Sequence, residues 1–247
     1  MNFQKDTFIV DFIRSRLHRK QNNVIAIIGE TGSGKSMASL KLGQMIDPNF
    51  NANRVCFTIL QVIQLVNSGL PEGSVIVFDD AGLAIGNRMW QSTIVQLFGL
   101  LTQSFRTKFL NLIITVPKLS FIELQSRSLI SLLLQHKGVQ GSFLVKIPYT
   151  KTNISSKEEV TYYIYPFYKR KRIKQIYISL PSKEIIDDYE YIKMLKMDEF
   201  YKRFEEELRK IENGETNKKY EKKGYNPKSL ENLKNRKKQT DNSDMYA

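Results

Sequence analysis

The feature that most constrains this chain is a loop between two apolar elements. Val24–Ile28 is wholly apolar, Gly29-Glu30-Thr31-Gly32-Ser33-Gly34-Lys35-Ser36 follows, and residues 35–46 have the composition of an amphipathic helix. Glycine, four residues, then Gly-Lys-Ser is the spacing of a phosphate-binding loop. The glycines let the backbone turn with its N–H groups aimed inward, making an anion nest. Lys35 brings a cation to the β- and γ-phosphates, and Ser36 offers a hydroxyl to Mg²⁺. The helix that starts there adds the positive end of its dipole. The residues expected around the nucleotide are therefore Gly29 to Ser36 and Met37, with ATP and Mg²⁺ as the ligands. Glu30 and Thr31 occupy free positions of the loop.

A second apolar run, 74–79, ends on Asp79-Asp80. A loop of this kind shares its metal with an acid at the end of another strand, which predicts Asp79 as the Mg²⁺ partner of Ser36. Asp80 either orients or deprotonates the attacking water, or only caps a turn or tunes Asp79; Asp reaches one methylene less far than Glu. Arg106 stands just before the apolar run 109–115. It suits an arginine finger that spreads transition-state charge, or a surface cation at a helix end. Thr115 closes that run, where it can meet the γ-phosphate or its water. Arg88 and Arg127 are weaker finger candidates, and Trp90 reads as a core residue. His18 and His136 have no metal-ligand company.

The chain that carries these motifs alternates. Strands are expected at 24–28, 54–59, 74–79, 109–115 and 129–135. Helices are expected at 7–20, 35–46, 60–67 and 92–105, with a turn or two at 121–128. Strands apolar on both faces and separated by helices predict an α/β fold with a mostly parallel central sheet. After Gly141 the pattern shifts to short Tyr- and Ile-rich runs that alternate, an antiparallel β-extension. The expected organisation is an N-terminal helix at 1–20, a phosphate-loop core at 21–140 and the β-extension at 141–182. A C-terminal helix at 183–212 and a Lys/Asn-rich tail at 213–247, expected to be disordered, complete it.

Net charge is +13. A charge that large favours a polyanionic partner, nucleic acid first and an anionic membrane second, over a merely soluble lysine-rich protein; DNA is the expected partner. The cations Lys169, Arg170, Lys171, Arg172 and Lys174 are the expected contact, together with the C-terminal tail. The single cysteine, Cys56, excludes a disulfide framework. No stretch is long and apolar enough for a membrane span, and residues 1–20 lack a signal peptide's apolar segment, so a cytoplasmic protein is expected.

Together, GETGSGKS, VIVFDDAG, Arg106 before FLNLIIT, and the T-V-P that leads into SFIELQSRS resemble the ATPases that have an additional strand between their two phosphate motifs. The pattern is most similar to the HerA/FtsK group of DNA pumps, which includes viral packaging and Zot-like proteins. That resemblance implies ring-shaped homo-oligomers, commonly hexamers, acting on DNA, with Arg106 as the finger. The group usually has Gln as its sensor where this chain has Thr115. The Asp-Asp pair is more similar to the DnaA/DnaC initiator and helicase-loader group. Two function classes follow: a DNA-acting ATP motor, or a nucleotide switch that docks a partner. A small-molecule kinase would need an arginine-rich lid that the sequence lacks.

Overall fold

All six residues of β1 (Asn23–Ile28) are buried, because both faces of the strand are covered. Val24, Ala26 and Ile28 join one apolar cluster, and Ile25 and Ile27 join another on the opposite face. This alternation with period two is what a strand inside a two-sided sheet requires. The computed structural model describes residues 3–79, 108–122, 127–152 and 159–212. The chain divides into two compact units, Met1–Met194 and Leu195–Ala247.

In the first unit, α1 (Phe3–His18) precedes β1, and α2 (Lys35–Ile46) follows the glycine loop. Then come β2 (Val55–Cys56), α3 (Ile59–Asn67), β3 (Val75–Phe78), β4 (Asn111–Val116) and β5 (Leu132–His136). These five strands pair in parallel in the order β5-β1-β4-β3-β2. β4 therefore lies between the strand that feeds the glycine loop and the strand that ends on Asp79.

The expected elements that fall among the described residues form, with shifts that have local causes. The run 54–59 shortens to a two-residue strand because Thr58 leaves the ladder to cap α3. Its hydroxyl accepts from the Gln61 N–H, and the Gln61 side chain answers on the Thr58 N–H. That reciprocal pair satisfies two donors that a helix start leaves open. Within 121–128, Phe121 ends a 3₁₀ turn (Leu119–Phe121). Most of the remaining residues, like the expected helix at 92–105 and the tail at 213–247, lie outside the described residues.

The antiparallel strands do not form a separate body. β6 (Ser142–Thr152) pairs with β5, and β10 (Gln175–Tyr177) and β7 (Glu159–Ile164) pair with β6, so they lengthen the same sheet. The β5–β6 connection needs glycine. Gly141 is left-handed at φ 79°, and a Cβ there would sit 2.8 Å from the Ile178 carbonyl oxygen. A second, two-stranded sheet pairs β8 (Phe167–Tyr168) with β9 (Lys171–Arg172).

α1 packs on the domain as its amphipathic pattern predicts, with Phe8, Ile9 and Ile13 buried. Full burial of each such side chain contributes about 1.5–3 kcal/mol. Beneath it a polar clamp ties β1 to β4: the Asn23 amide donates to Asn111 Oδ1 at 2.8 Å, and Arg16 donates to Asn23 Oδ1 at 2.8 Å. Helix α4 (Lys183–Glu212) begins in the first unit, where Ile185 and Tyr189 enter the core. In the second unit, the described residues are the remainder of α4. Among the described residues, no helix is long and apolar enough to cross a membrane.

Candidate phosphate and metal site

The loop from Gly29 to Gly34 caps the carboxyl end of β1. Gly32 and Gly34 are left-handed, with φ of 80° and 83°, and Gly34 is the residue from which α2 departs. No side-chain hydrogen bond from Gly34 caps this helix start, and the first-turn amides of a helix are where an anion binds. A Cβ on Gly29 would fall 2.7 Å from the Ser33 hydroxyl, which explains the glycine there. Ser33 Oγ is buried and has no hydrogen-bond partner among the described residues, an orphaned donor inside the loop. Lys35, 7% exposed, folds back so that Nζ donates to the Glu30 carbonyl at 2.9 Å. Its cation thus bridges the loop. Met37, the third residue of α2, packs its side chain against the core.

The second half of the site is one carboxylate. Asp79, 1% exposed, continues the edge of β3, its N–H donating to the Cys56 carbonyl at 2.9 Å. Three hydroxyls donate to its side chain. Ser36 Oγ lies 3.0 and 3.1 Å from the two carboxylate oxygens. Thr115 Oγ1 donates to Oδ1 at 2.8 Å, and the Tyr189 hydroxyl donates to Oδ2 at 2.6 Å. Register explains Thr115: Phe78 is opposite Ile114, so the next residue of each strand is also opposite.

A buried carboxylate is costly unless charge and hydrogen bonds compensate it. Hydroxyls supply the hydrogen bonds, and no ion pair to Asp79 occurs among the described residues. The donor set is hard oxygen: one carboxylate and the hydroxyl of Ser36. It fits Mg²⁺, which takes one or two carboxylates and completes its shell with phosphates and water. Ser36 can keep its hydrogen on Asp79 while its lone pairs face a cation.

Of the expected site residues, the fold brings together Lys35, Ser36, Asp79 and Thr115. Asp80, Arg106, Arg88 and Trp90 lie outside the described residues. Arg127 donates to the Ile122 carbonyl at 2.9 Å, in the segment that leads into β5. His136 borders a cleft of about 770 Å³ beside Gly29 and Glu30, and its buried Nε2 has no partner among the described residues.

Tyr189 is the residue that the sequence pattern did not single out. It sits in an apolar helical stripe, where it reads as one more core residue. The available signal was chemical: a buried tyrosine needs a partner for its hydroxyl. Burial first, then the Asp79 charge, pushes its phenol well above the ordinary tyrosine range, so it remains a donor. Lys193 Nζ donates to the same hydroxyl at 3.0 Å.

The basic run is a hairpin. Lys169 and Arg170 form the turn, both left-handed at φ 47° and 64°. Tyr168 anchors it, its hydroxyl bonded to Asp11 and its ring edge-on to Phe8 at 5.6 Å. Lys169, Arg170, Lys171, Arg172 and Lys174 are all exposed.

No known family pattern matches the sequence, and no characterised protein matches it as a relative.

Proposed function

We propose that this protein binds ATP with Mg²⁺, hydrolyses it, and acts on DNA as an oligomeric motor. The observation that carries the proposal is the contact of Ser36 with Asp79, with Thr115 on the intervening strand. Two motifs 43 residues apart meet hydroxyl to carboxylate, as a shared metal requires. The strand order β5-β1-β4-β3-β2 supports the resemblance to ATPases with an additional strand.

In this reading the loop amides and Lys35 hold the phosphates, while Ser36 and Asp79 hold the metal. Mg²⁺, when bound, neutralises charge between the β- and γ-phosphates. Thr115 fixes Asp79 and sits where a sensor of the γ-phosphate belongs. Asp80 orients the attacking water, and Arg106 serves a neighbouring copy in a ring, a hexamer by the resemblance. The exposed cations of the β8–β9 hairpin and the tail contact DNA phosphates without reading sequence. A cytoplasmic setting completes the proposal.

ATP turnover with and without DNA tests it. Stimulation that fades as salt rises supports the motor, because phosphate contacts release counterions. Turnover indifferent to DNA at low salt would remove the DNA half of the proposal. A second reading, a nucleotide switch that docks a partner protein, is favoured by one observation: α4 touches the site through Tyr189. Turnover changed by a protein partner and not by DNA would select it.

A further inference from the structure

We infer that Tyr189 is a positioning residue for the metal carboxylate, and that it couples the first turns of α4 to the filling of the metal site. The inference rests on the proposed role of Asp79. Ser36 is almost equidistant from the two oxygens of Asp79, so it does not select a rotation of the carboxylate. Thr115 and Tyr189 do. One takes Oδ1 and the other Oδ2, from β4 and from α4. Between them they set the torsion of the group.

Tyr189 is itself held rigidly. It is 1% exposed, and its ring stacks on Phe57 at 6.3 Å. Lys193, one helical turn on, donates to its oxygen and places Nζ 5.3 Å from the ring centroid. A phenol has one hydrogen. With Lys193 donating to the oxygen, that hydrogen is directed to Asp79. The Lys193 charge, behind the phenol, partly offsets the buried carboxylate.

The helix is also tied to the loop side of the site. Gln44, near the end of α2, donates to Ser182 Oγ at 2.8 Å and accepts from the Ser182 N–H at 3.1 Å. Thus the start of α4 is fastened to the phosphate-loop helix, and its second turn to the metal carboxylate. A ligand that draws Ser36 and Asp79 towards a metal must act on this helix, whose contact is 110 residues away in sequence.

Tyr189→Phe keeps the ring and removes the hydroxyl. The test is calorimetric titration of the full chain with a non-hydrolysable ATP analogue, in MgCl₂ and in EDTA. Wild type should bind more tightly with Mg²⁺. In Tyr189→Phe that Mg²⁺-dependent gain should shrink about tenfold, the scale of one charge-assisted hydrogen bond. Affinity in EDTA should stay within about twofold, because Ser36, the loop residue that also meets this hydroxyl, keeps Asp79 as its partner. A purely structural role would weaken both arms alike. An unchanged or larger gain would overturn the inference and leave the nucleotide site intact. Wild type that binds in neither buffer would overturn the site itself.

Should the variant not fold, hydrogen exchange on the native chain decides. Amides of 185–193 should gain protection with Mg²⁺-analogue beyond that with analogue in EDTA. Equal protection would refute the coupling.

Discussion

The site at the ends of β1, β3 and β4 and the β8–β9 hairpin place charge in opposite ways. In the site, a carboxylate that is 1% exposed is surrounded by hydroxyls, each from a different element. In the hairpin, consecutive cations are exposed around a turn, with Lys169 over the Tyr168 ring and Arg172 over the Phe167 ring, each 5.0 Å from the centroid. The first arrangement is specified by its neighbours, since a buried polar group left unmatched costs about 1–3 kcal/mol. The second is specified by short contacts of the cations with Phe167 and Tyr168. Turns of this hand favour Asn-Gly, because both central residues need positive φ. Lys169 and Arg170 hold that conformation at a cost of about 1 kcal/mol or more each. The contact of Lys169 with the Tyr168 ring offsets part of that cost, by about 0.5–1 kcal/mol at an exposed site.

The sharpest way to break the comparison is Lys35→Ala. It should abolish ATP turnover and weaken nucleotide binding about a hundredfold or more, because the loop loses the cation aimed at the phosphates. Hairpin variants should leave DNA-free turnover intact. Unchanged turnover in Lys35→Ala, followed by phosphate release, would remove the nucleotide reading.

Next in size is the water-handling step. Asp80→Asn should retain ATP-analogue binding while turnover falls about a hundredfold, the lower range for a general base. Retained turnover would reduce Asp80 to a turn cap. Arg106→Ala should likewise keep binding and lose hydrolysis. Recovery on mixing it with Asp80→Asn subunits would place the arginine in a neighbouring copy.

Smaller effects are expected at the hairpin. Replacing Lys169, Arg170, Lys171 and Arg172 by Ser should flatten the salt dependence of DNA binding by roughly 0.9 for each phosphate no longer neutralised. Titrations at several salt concentrations would show it, and an unchanged slope would assign DNA binding to another surface. The smallest is Arg170→Gly, which relieves one left-handed side chain. It should stabilise the protein by about 0.5–1 kcal/mol, read as a raised Tm, while DNA affinity falls. A lowered Tm would mean the turn is not strained.

The same contrast explains what the amino-acid sequence discloses. Gly29 to Ser36 and Asp79 are legible because each motif is contiguous and its chemistry demands those residue types. Thr115 is legible as a strand end. The capping pair Thr58 and Gln61 was also written locally, as T-x-x-Q, and shortens β2. Three features lie beyond local patterning. Strand order is set by packing between elements, so no local pattern puts β4 between β1 and β3. Alternation identifies β6 as antiparallel but does not name β5 as its partner. Tyr189 reaches Asp79 across 110 residues, and helical periodicity marks it only as buried.

The most direct test of the central claim is phosphate release from ATP as Mg²⁺ is titrated, in wild type and in Asp79→Asn. Wild type should show saturable Mg²⁺ dependence, and the variant at least about a tenfold higher Mg²⁺ requirement. Turnover that persists in EDTA, or the same Mg²⁺ dependence in both proteins, would contradict it.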